Sequence, residues 1–484
     1  MTSVRKAILF SAGSQYLIKL IGFVSVIVLA RIMTPEELGI FAIASSVVML
    51  ATEFRLLGTT NYLIRQEEVN KDLVRSGVGL TIIICWTLGA IVFFTAPIIG
   101  NFYQLPSLIE IFKILSISFF LAPFISVTSA ILTREMKFAE LMYINIAVQS
   151  LKLLISISLV LAGYSYYGLA WGVVIGTILE LVFLYYFKPE IVSWRPRFKG
   201  LKPIAKFGIF ISFTNIMTRF ETAAPDIIIG KVGTPVDVAI YSRGMGFLTF
   251  LNEIISAGII QVALPHLSKV KREGGDLCIA YTKASLLLGS VMWPVLAVAG
   301  LASVPAILLM FGDQWTASIP IVSILTGWAI FKSIHSLSTN LLYSSGHETL
   351  LLLKQFIMFV ATVITLLLSV RFGLQVLSWS MVGIGFFESI LCTIVLKKAI
   401  NLSPWHFIKA MTPNFLLTLS CIFAALLIDL SINFELAPPI LSLALLATIM
   451  PVIWLTTVWF IKHPIYFEIL PIMNTIFSRK KNSE

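Results

Sequence analysis

Fourteen apolar runs follow one another along this chain, near 8–30, 37–60, 78–99, 109–132, 141–163, 166–187, 203–231, 240–262, 283–311, 318–343, 350–371, 374–397, 412–431 and 437–461. A helix of about 20 apolar residues crosses the roughly 30 Å hydrocarbon core of a bilayer. The pattern therefore predicts an all-α polytopic membrane protein with about 14 transmembrane helices. Composition agrees: 58% of residues are hydrophobic and 12% charged, where soluble domains carry roughly a quarter charged residues. The run at 8–30 is too long for a signal-peptide core and has no small-residue cleavage pattern after it, so it is expected to stay in the protein. The longest connections are about 189–202 and 263–282, so no sizeable soluble domain is expected, and function has to reside inside the membrane.

Topology explains the net charge of +11. With the N-terminus cytoplasmic, 25 Lys and Arg fall on that side and three (Arg31, Lys231, Arg371) on the other, the asymmetry of the positive-inside rule. Both termini are then expected in the cytoplasm. The cations form no stripe, so nucleic acid is not expected as a partner. Cys85, Cys278, Cys392 and Cys421 are isolated in apolar runs, which predicts neither a disulfide framework nor a metal site.

The chain also echoes itself. Arg31-Ile-Met-Thr34-Pro35-Glu-Glu37-Leu-Gly-Ile40-Phe41 returns as Lys231-Val-Gly-Thr234-Pro235-Val-Asp237-Val-Ala-Ile240-Tyr241. Ser126 to Leu132 is matched by Ser336 to Leu342, and Leu169, Trp171, Val174 and Glu180 recur as Leu377, Trp379, Val382 and Glu388. Offsets of 200 to 210 over alternate helices predict two parallel six-helix lobes related by an axis along the membrane normal. The expected division is an N-lobe at 1–190, a basic cytoplasmic linker at 191–202, a C-lobe at 203–400, and helices 13 and 14 with a cytoplasmic tail at 401–484. The linker, Trp194-Arg195-Pro-Arg197-Phe-Lys199-Gly-Leu-Lys202, reads as a topology signal that touches anionic lipid. Each Thr-Pro with an acid two positions after the Pro reads as a turn that starts the next helix, at the outer face.

Ionisable residues inside the spans mark the chemistry, because a charge at mid-bilayer costs about 2.5–3.5 kcal/mol even on insertion scales. Lys19, Lys152, Arg219, Glu253 and Lys332 fall near the midplane, with His335 on the face of Lys332. Arg55 lies toward the cytoplasmic end of its run, Asp226 and Arg243 toward the outer end of theirs. Cations outnumber anions in this layer, which suits an anion such as pyrophosphate. Lys19, Arg219, Lys332, Arg55 and Arg243 are therefore the candidate substrate-binding residues, and Asp226 and Glu253 the candidates for ion coupling. Structural alternatives are an Arg219–Glu253 ion pair, a Lys152–Glu180 pair and a hydrogen-bonded core role for His335. Pro97, Pro123, Pro294 and Pro305 are expected to kink their helices.

Leu29-Ala-Arg-Ile-Met-Thr-Pro-Glu-Glu-Leu-Gly-Ile-Phe41, Leu132-Thr-Arg-Glu-Met-Lys-Phe138, Asp226-Ile-Ile-Ile-Gly-Lys-Val-Gly233, Tyr241-Ser-Arg243, Leu264-Pro-His-Leu-Ser268 and Phe311-Gly-Asp-Gln-Trp315 occur in this order. Together they resemble Wzx-type flippases, the oligosaccharide-lipid exporters of the multidrug/oligosaccharidyl-lipid/polysaccharide superfamily, over about residues 5–400. The resemblance implies two six-helix lobes in a V, sometimes with two extra helices. It implies flipping of undecaprenyl-pyrophosphate-linked repeat units across the bacterial inner membrane, for exopolysaccharide, capsule or O-antigen. It also implies a cavity lined by basic residues. Gly346-His347 departs from the Gly-Arg frequent in relatives.

The expected mechanism is alternating access without a cofactor, with an H⁺ or Na⁺ gradient as the coupling to test. Polysaccharide polymerase and chain-length machinery are the expected protein partners. A cation-coupled multidrug antiporter of the same superfamily is the alternative, and its cavity would favour carboxylates. A glycan polymerase or ligase would need catalytic residues in a large outer loop. No nucleophile, paired-carboxylate or metal motif appears in any loop, so catalysis is not expected.

Overall fold

The computed structural model describes the backbone of residues 2–55 and 59–468, and their side chains except those of 2–12, 14–15, 54–55, 206–215, 258–262 and 264. The order is α1 (Thr2–Ile32), α2 (Pro35–Arg55), α3 (Thr59–Arg65), α4 (Lys71–Tyr103), α5 (Ser107–Arg134), α6 (Phe138–Leu159), α7 (Ser165–Tyr186), α8 (Leu201–Val232) and α9 (Pro235–Arg272). It continues with α10 (Leu277–Leu301), α11 (Ser303–Met310), α12 (Ile319–Ile334), α13 (Ser338–Ser345), α14 (Glu348–Ser369), α15 (Leu374–Ile400), α16 (Pro404–Ile432) and α17 (Pro439–Phe460). Among the described residues the expected apolar runs fall on helices, that at 283–311 being divided at Ala302 into α10 and α11 and that at 318–343 at residues 335–337 into α12 and α13. By length and apolarity, ten segments qualify as spans among the described residues. One of them, Phe138–Tyr186, holds both α6 and α7, separated where Gly163 (φ 91°) and Ser165 (φ 50°) turn the backbone left-handed.

Local chemistry starts the helices where the sequence predicts. Glu37 Oε2 accepts from Thr34 N at 2.8 Å while Thr34 Oγ1 accepts from Glu37 N at 3.3 Å. Asp237 and Thr234 repeat this at 2.8 and 3.2 Å. Each echo is thus a reciprocal capping box with Pro as the first helical residue, a position whose missing N–H costs nothing. Pro97, Pro123 and Pro294 lie within α4, α5 and α10. Pro305 differs from expectation. It is the third residue of α11, in the first turn, where backbone N–H groups have no intrahelical acceptor to lose.

The chain forms two compact units, residues 1–242 with 359–371, and residues 243–358 with 372–484. In the first, α5 packs on α4 and α7, α6 on α7 and α1, and α2 on α8. Its core includes Leu63, Val74, Val78, Val127, Ile131 and Val192. In the second, α12 packs on α10 and α15, and α16 on α10 and α17. The α4/α5 and α5/α7 pairings of the first unit recur as α10/α12 and α12/α15 in the second, which is the parallel repeat read from the sequence echoes. The fold is all-α and polytopic, two six-helix repeats followed by α16 and α17. These last two are fastened to α10: Asn414 donates to Leu286 O at 3.1 Å and Trp454 Nε1 to Ser290 O at 2.8 Å.

Candidate functional site

In the first unit the candidate residues Arg219 and Asp226 lie seven residues apart on α8, and so on one helical face. They meet Glu53 and Ser46, which are seven apart on α2. Arg219 Nε lies 3.0 Å from Glu53 Oε1, and Asp226 Oδ2 accepts from Ser46 Oγ at 2.7 Å. Because α2 and α8 run antiparallel, the seam continues outward: a Cβ at Gly230 would come within 2.7 Å of Ile43 Cγ1. At its end a Cβ at Gly39 would sit 1.7 Å from Pro235 O, so the two Thr-Pro echoes touch. Glycine is the residue that lets these backbones approach.

The seam changes two expectations. Arg219 takes Glu53 as an ion-pair partner, an acid the sequence reading did not single out, where Glu253 had been weighed. Asp226 accepts two serine hydroxyls, from Ser46 and Ser242, and so is held in a bonded setting. The guanidinium of Arg219 remains half exposed while Glu53 is buried, which leaves Arg219 N–H groups facing outward from the pair. Lys19 is half-buried on α1, which packs against α6. Lys152 of α6 lies over Gly176 of α7 and in the field of Glu180, the hairpin pair read from sequence. Arg55 has its side chain outside the described residues.

In the second unit Lys332 belongs to a buried polar cluster. Its ammonium lies 5.0 Å from the Trp328 ring centroid and acts electrostatically on Glu388, as do Lys354 and His335. Lys354 Nζ lies 3.0 Å from Glu388 Oε1, both side chains being about nine-tenths buried or more. Lys354 occupies the second turn of α14 and turns inward to the carboxylate. Glu388 is thus a buried, paired carboxylate. His335 is the bonded core residue weighed from sequence. Tyr281 O–H donates to its Nδ1 at 2.9 Å, and its Nε2–H donates to Thr393 Oγ1 at 3.0 Å, whose own proton goes to Ser389 O at 2.8 Å. Arg243 lies 5.5 Å from the Trp315 ring centroid, and Glu253 is exposed on α9.

Lys354 and Glu53 are the residues sequence reasoning missed. A signal existed for each. Lys354 is a lone cation in an apolar run, opposite the glutamate that recurs from Glu180. Glu53 stands seven residues beyond Ser46. No group of three or more His, Cys, Asp or Glu able to hold a metal occurs among the described residues. An apolar cavity of about 580 Å³ lies between α9, α10, α16 and α17, lined by Phe247, Leu251, Pro294, Leu446, Met450 and Trp454. It suits hydrocarbon rather than sugar.

Residues 28–320 match the family model described as "Polysaccharide biosynthesis protein". The chain is 25% identical to the succinoglycan biosynthesis transport protein ExoT of Rhizobium meliloti (strain 1021), over 63% of this chain and 61% of that protein. It is 22% identical to the lipopolysaccharide biosynthesis protein WzxC of Escherichia coli (strain K12), over 67% of this chain and 66% of that one. The chain thus spans slightly under two thirds of these relatives' length. Among solved structures, the lipid II flippase MurJ in an inward closed conformation superposes with a TM-score of 0.75 at 13% identity, over 96% of this chain and 100% of that one. At that identity the likeness concerns the fold alone.

Proposed function

The chain belongs to the polysaccharide biosynthesis protein family, and on that premise we propose that it translocates undecaprenyl-pyrophosphate-linked oligosaccharide across the bacterial inner membrane. The observation that carries this reading is the family match joined to relatives named for succinoglycan transport and lipopolysaccharide biosynthesis. The layer of span cations supports the choice of an anionic head. Lys19, Arg219 and Lys332 supply ammonium and guanidinium groups that replace the hydration lost when a pyrophosphate enters a low-dielectric site. Arg243, and Arg55 by its position in the sequence, belong to the same reading. The apolar cavity of the second unit would accommodate isoprenoid, keeping the tail out of water. Alternating access of the two repeats then moves the head from one face to the other, with both termini cytoplasmic. H⁺ or Na⁺ would bias the cycle, and of the two coupling candidates Glu253 is the exposed one. The protein is a transporter in this reading and catalyses no bond change. Polymerase and chain-length machinery would receive its product.

The test is deletion of the gene followed by analysis of the lipid-linked oligosaccharide that accumulates in the inner leaflet. Accumulation reversed by the wild-type chain supports the proposal. Wild-type polysaccharide export from Lys19→Ala, Arg219→Ala and Lys332→Ala variants made at normal levels would sink the cationic site.

A further inference from the structure

The basic connection between α7 and α8 is bound in place along its length. Arg197 N donates to Arg75 O at 3.0 Å, Ser76 Oγ to Lys199 O at 2.8 Å, and Arg75 Nε to Arg195 O at 3.3 Å. A Cβ at Gly79 would lie 2.3 Å from Arg197 O, so α4 offers a glycine where the loop backbone presses against it. Val192 is buried in the core of the first unit, and Trp194 Nε1 donates to Thr128 Oγ1 at 3.2 Å. A connection with these contacts is a preformed surface, with its conformational entropy already lost on folding.

That surface is cationic and aromatic. Asp72 takes Arg197 and Arg75 as ion partners, which leaves the four cations Lys188, Arg195, Lys199 and Lys202 against the single acid Glu190 in the connection. Lys188 Nζ sits 5.5 and 5.4 Å from the rings of Tyr185 and Trp194. Exposed Tyr186 (77%) and Phe198 (59%) flank the cations. Tyrosine and tryptophan mark the level where hydrocarbon meets headgroups, and Lys188 is the residue that follows Tyr186 and Phe187 at the end of the α7 span. The Lys188 ammonium, held by cation–π contact beside these rings, is suited to meet a lipid phosphate at that level.

We propose that this clasped loop binds the headgroup of an anionic phospholipid, with Lys188, Arg195, Lys199 and Lys202 as phosphate ligands. The partner is a bilayer lipid and not the transported glycan, so the proposal stands or falls separately from the transport reading. The clasp uses the main-chain carbonyls of Arg195 and Lys199, which side-chain substitution leaves intact. Each cation near an anionic surface contributes about 1 kcal/mol, roughly fivefold in affinity.

The experiment is native mass spectrometry of the purified full chain after exchange into vesicles containing phosphatidylglycerol and phosphatidylcholine. Wild type is expected to retain phosphatidylglycerol selectively, and Lys188→Gln/Arg195→Gln/Lys199→Gln/Lys202→Gln to retain at least tenfold less. A control set of equal charge, Lys269→Gln/Arg272→Gln/Lys397→Gln/Lys398→Gln, is expected to behave as wild type. Unchanged phosphatidylglycerol in the first variant, equal loss in the control, or retention of a protein in place of lipid would overturn the proposal.

Discussion

Lys354 of α14 and Glu388 of α15 form a buried ion pair, Nζ to Oε1 3.0 Å, inside the second structural unit. In the first unit Lys152 of α6 stands in the field of Glu180 of α7. The two glutamates are 208 residues apart, matching the sequence repeat, while the two lysines are 202 apart. Each repeat thus places a lysine within the electrostatic reach of a glutamate on the next long helix, with the lysine at a different offset along its helix in the two repeats.

Removing one member of the Lys354–Glu388 pair strands a buried charge, so Lys354→Ala or Glu388→Ala should cost about 3–5 kcal/mol. Glu388 Oε2 is itself buried without a hydrogen bond, so the pair is not an ideal one. The double variant Lys354→Met/Glu388→Leu should then approach wild-type stability. Thermal unfolding in detergent measures the difference, and a double variant as unstable as the singles would refute the pairing.

Arg219 and Glu53 should be coupled. The guanidinium is half exposed, so solvent screens the pair and a double-mutant cycle of Arg219→Ala and Glu53→Ala should give about 1 kcal/mol. Export should separate them: Arg219→Ala lowers it as loss of a substrate ligand, while Glu53→Ala leaves a freed guanidinium and lowers it less. Equal export defects would assign Arg219 a structural role.

Gly39→Ala should be far more damaging than an ordinary glycine replacement. Its Cβ would sit 1.7 Å from Pro235 O, a backbone atom that cannot swing aside as a side chain can, so a loss of about 1–3 kcal/mol or more is expected from overpacking. Gly246 and Gly383 have nothing within 4 Å of the same built atom, and alanine there should be neutral or stabilising by roughly 0.5–1 kcal/mol. Unfolding midpoints of the three variants provide the comparison.

His463, just beyond α17, is fully buried. Its Nε2–H donates to Asn414 Oδ1 at 2.8 Å, and its Nδ1 accepts from Ile465 N at 3.1 Å. A proton on Nδ1 would break the second bond, and burial holds the imidazole pKa down at about 4. The unfolded chain, with an ordinary histidine near 6.5, binds the proton first as pH falls. Stability should therefore be whole above about pH 6.5 and decline between there and about pH 4, by on the order of 1–3 kcal/mol. His463→Gln should show a shallower decline than wild type over that window, read from unfolding midpoints at each pH. A parallel decline in the two proteins would remove His463 as the cause.

What could be read from residue order concerns short range. The apolar runs, the Thr34 and Thr234 capping boxes, the repeat offsets and the Lys152–Glu180 hairpin each depend on residues in one helix or in neighbouring ones. Hydrogen bonding within four residues and the hydrophobic length of a span decide the helices and their caps before any tertiary contact forms, and the short connection after α6 sets Lys152 and Glu180 in one hairpin. The Arg219–Glu53 pair spans 166 residues, and the seven-residue spacing of Ser46 and Glu53 puts them on one face of α2 without saying which helix that face meets. The register between α2 and α8 selects it, through close backbone approach at Gly39 and Gly230 and the Ser46–Asp226 bond. Lys354 likewise stood in the sequence as a single cation near the start of an apolar run, and its partner Glu388, 34 residues away, is set by the fold that buries both. Sequence by itself determined where helices form and that the set is duplicated. Tertiary structure decided which charges become partners, because the cost of an unpaired charge in a low-dielectric interior is settled by whichever opposite charge the packing brings within about 3–4 Å.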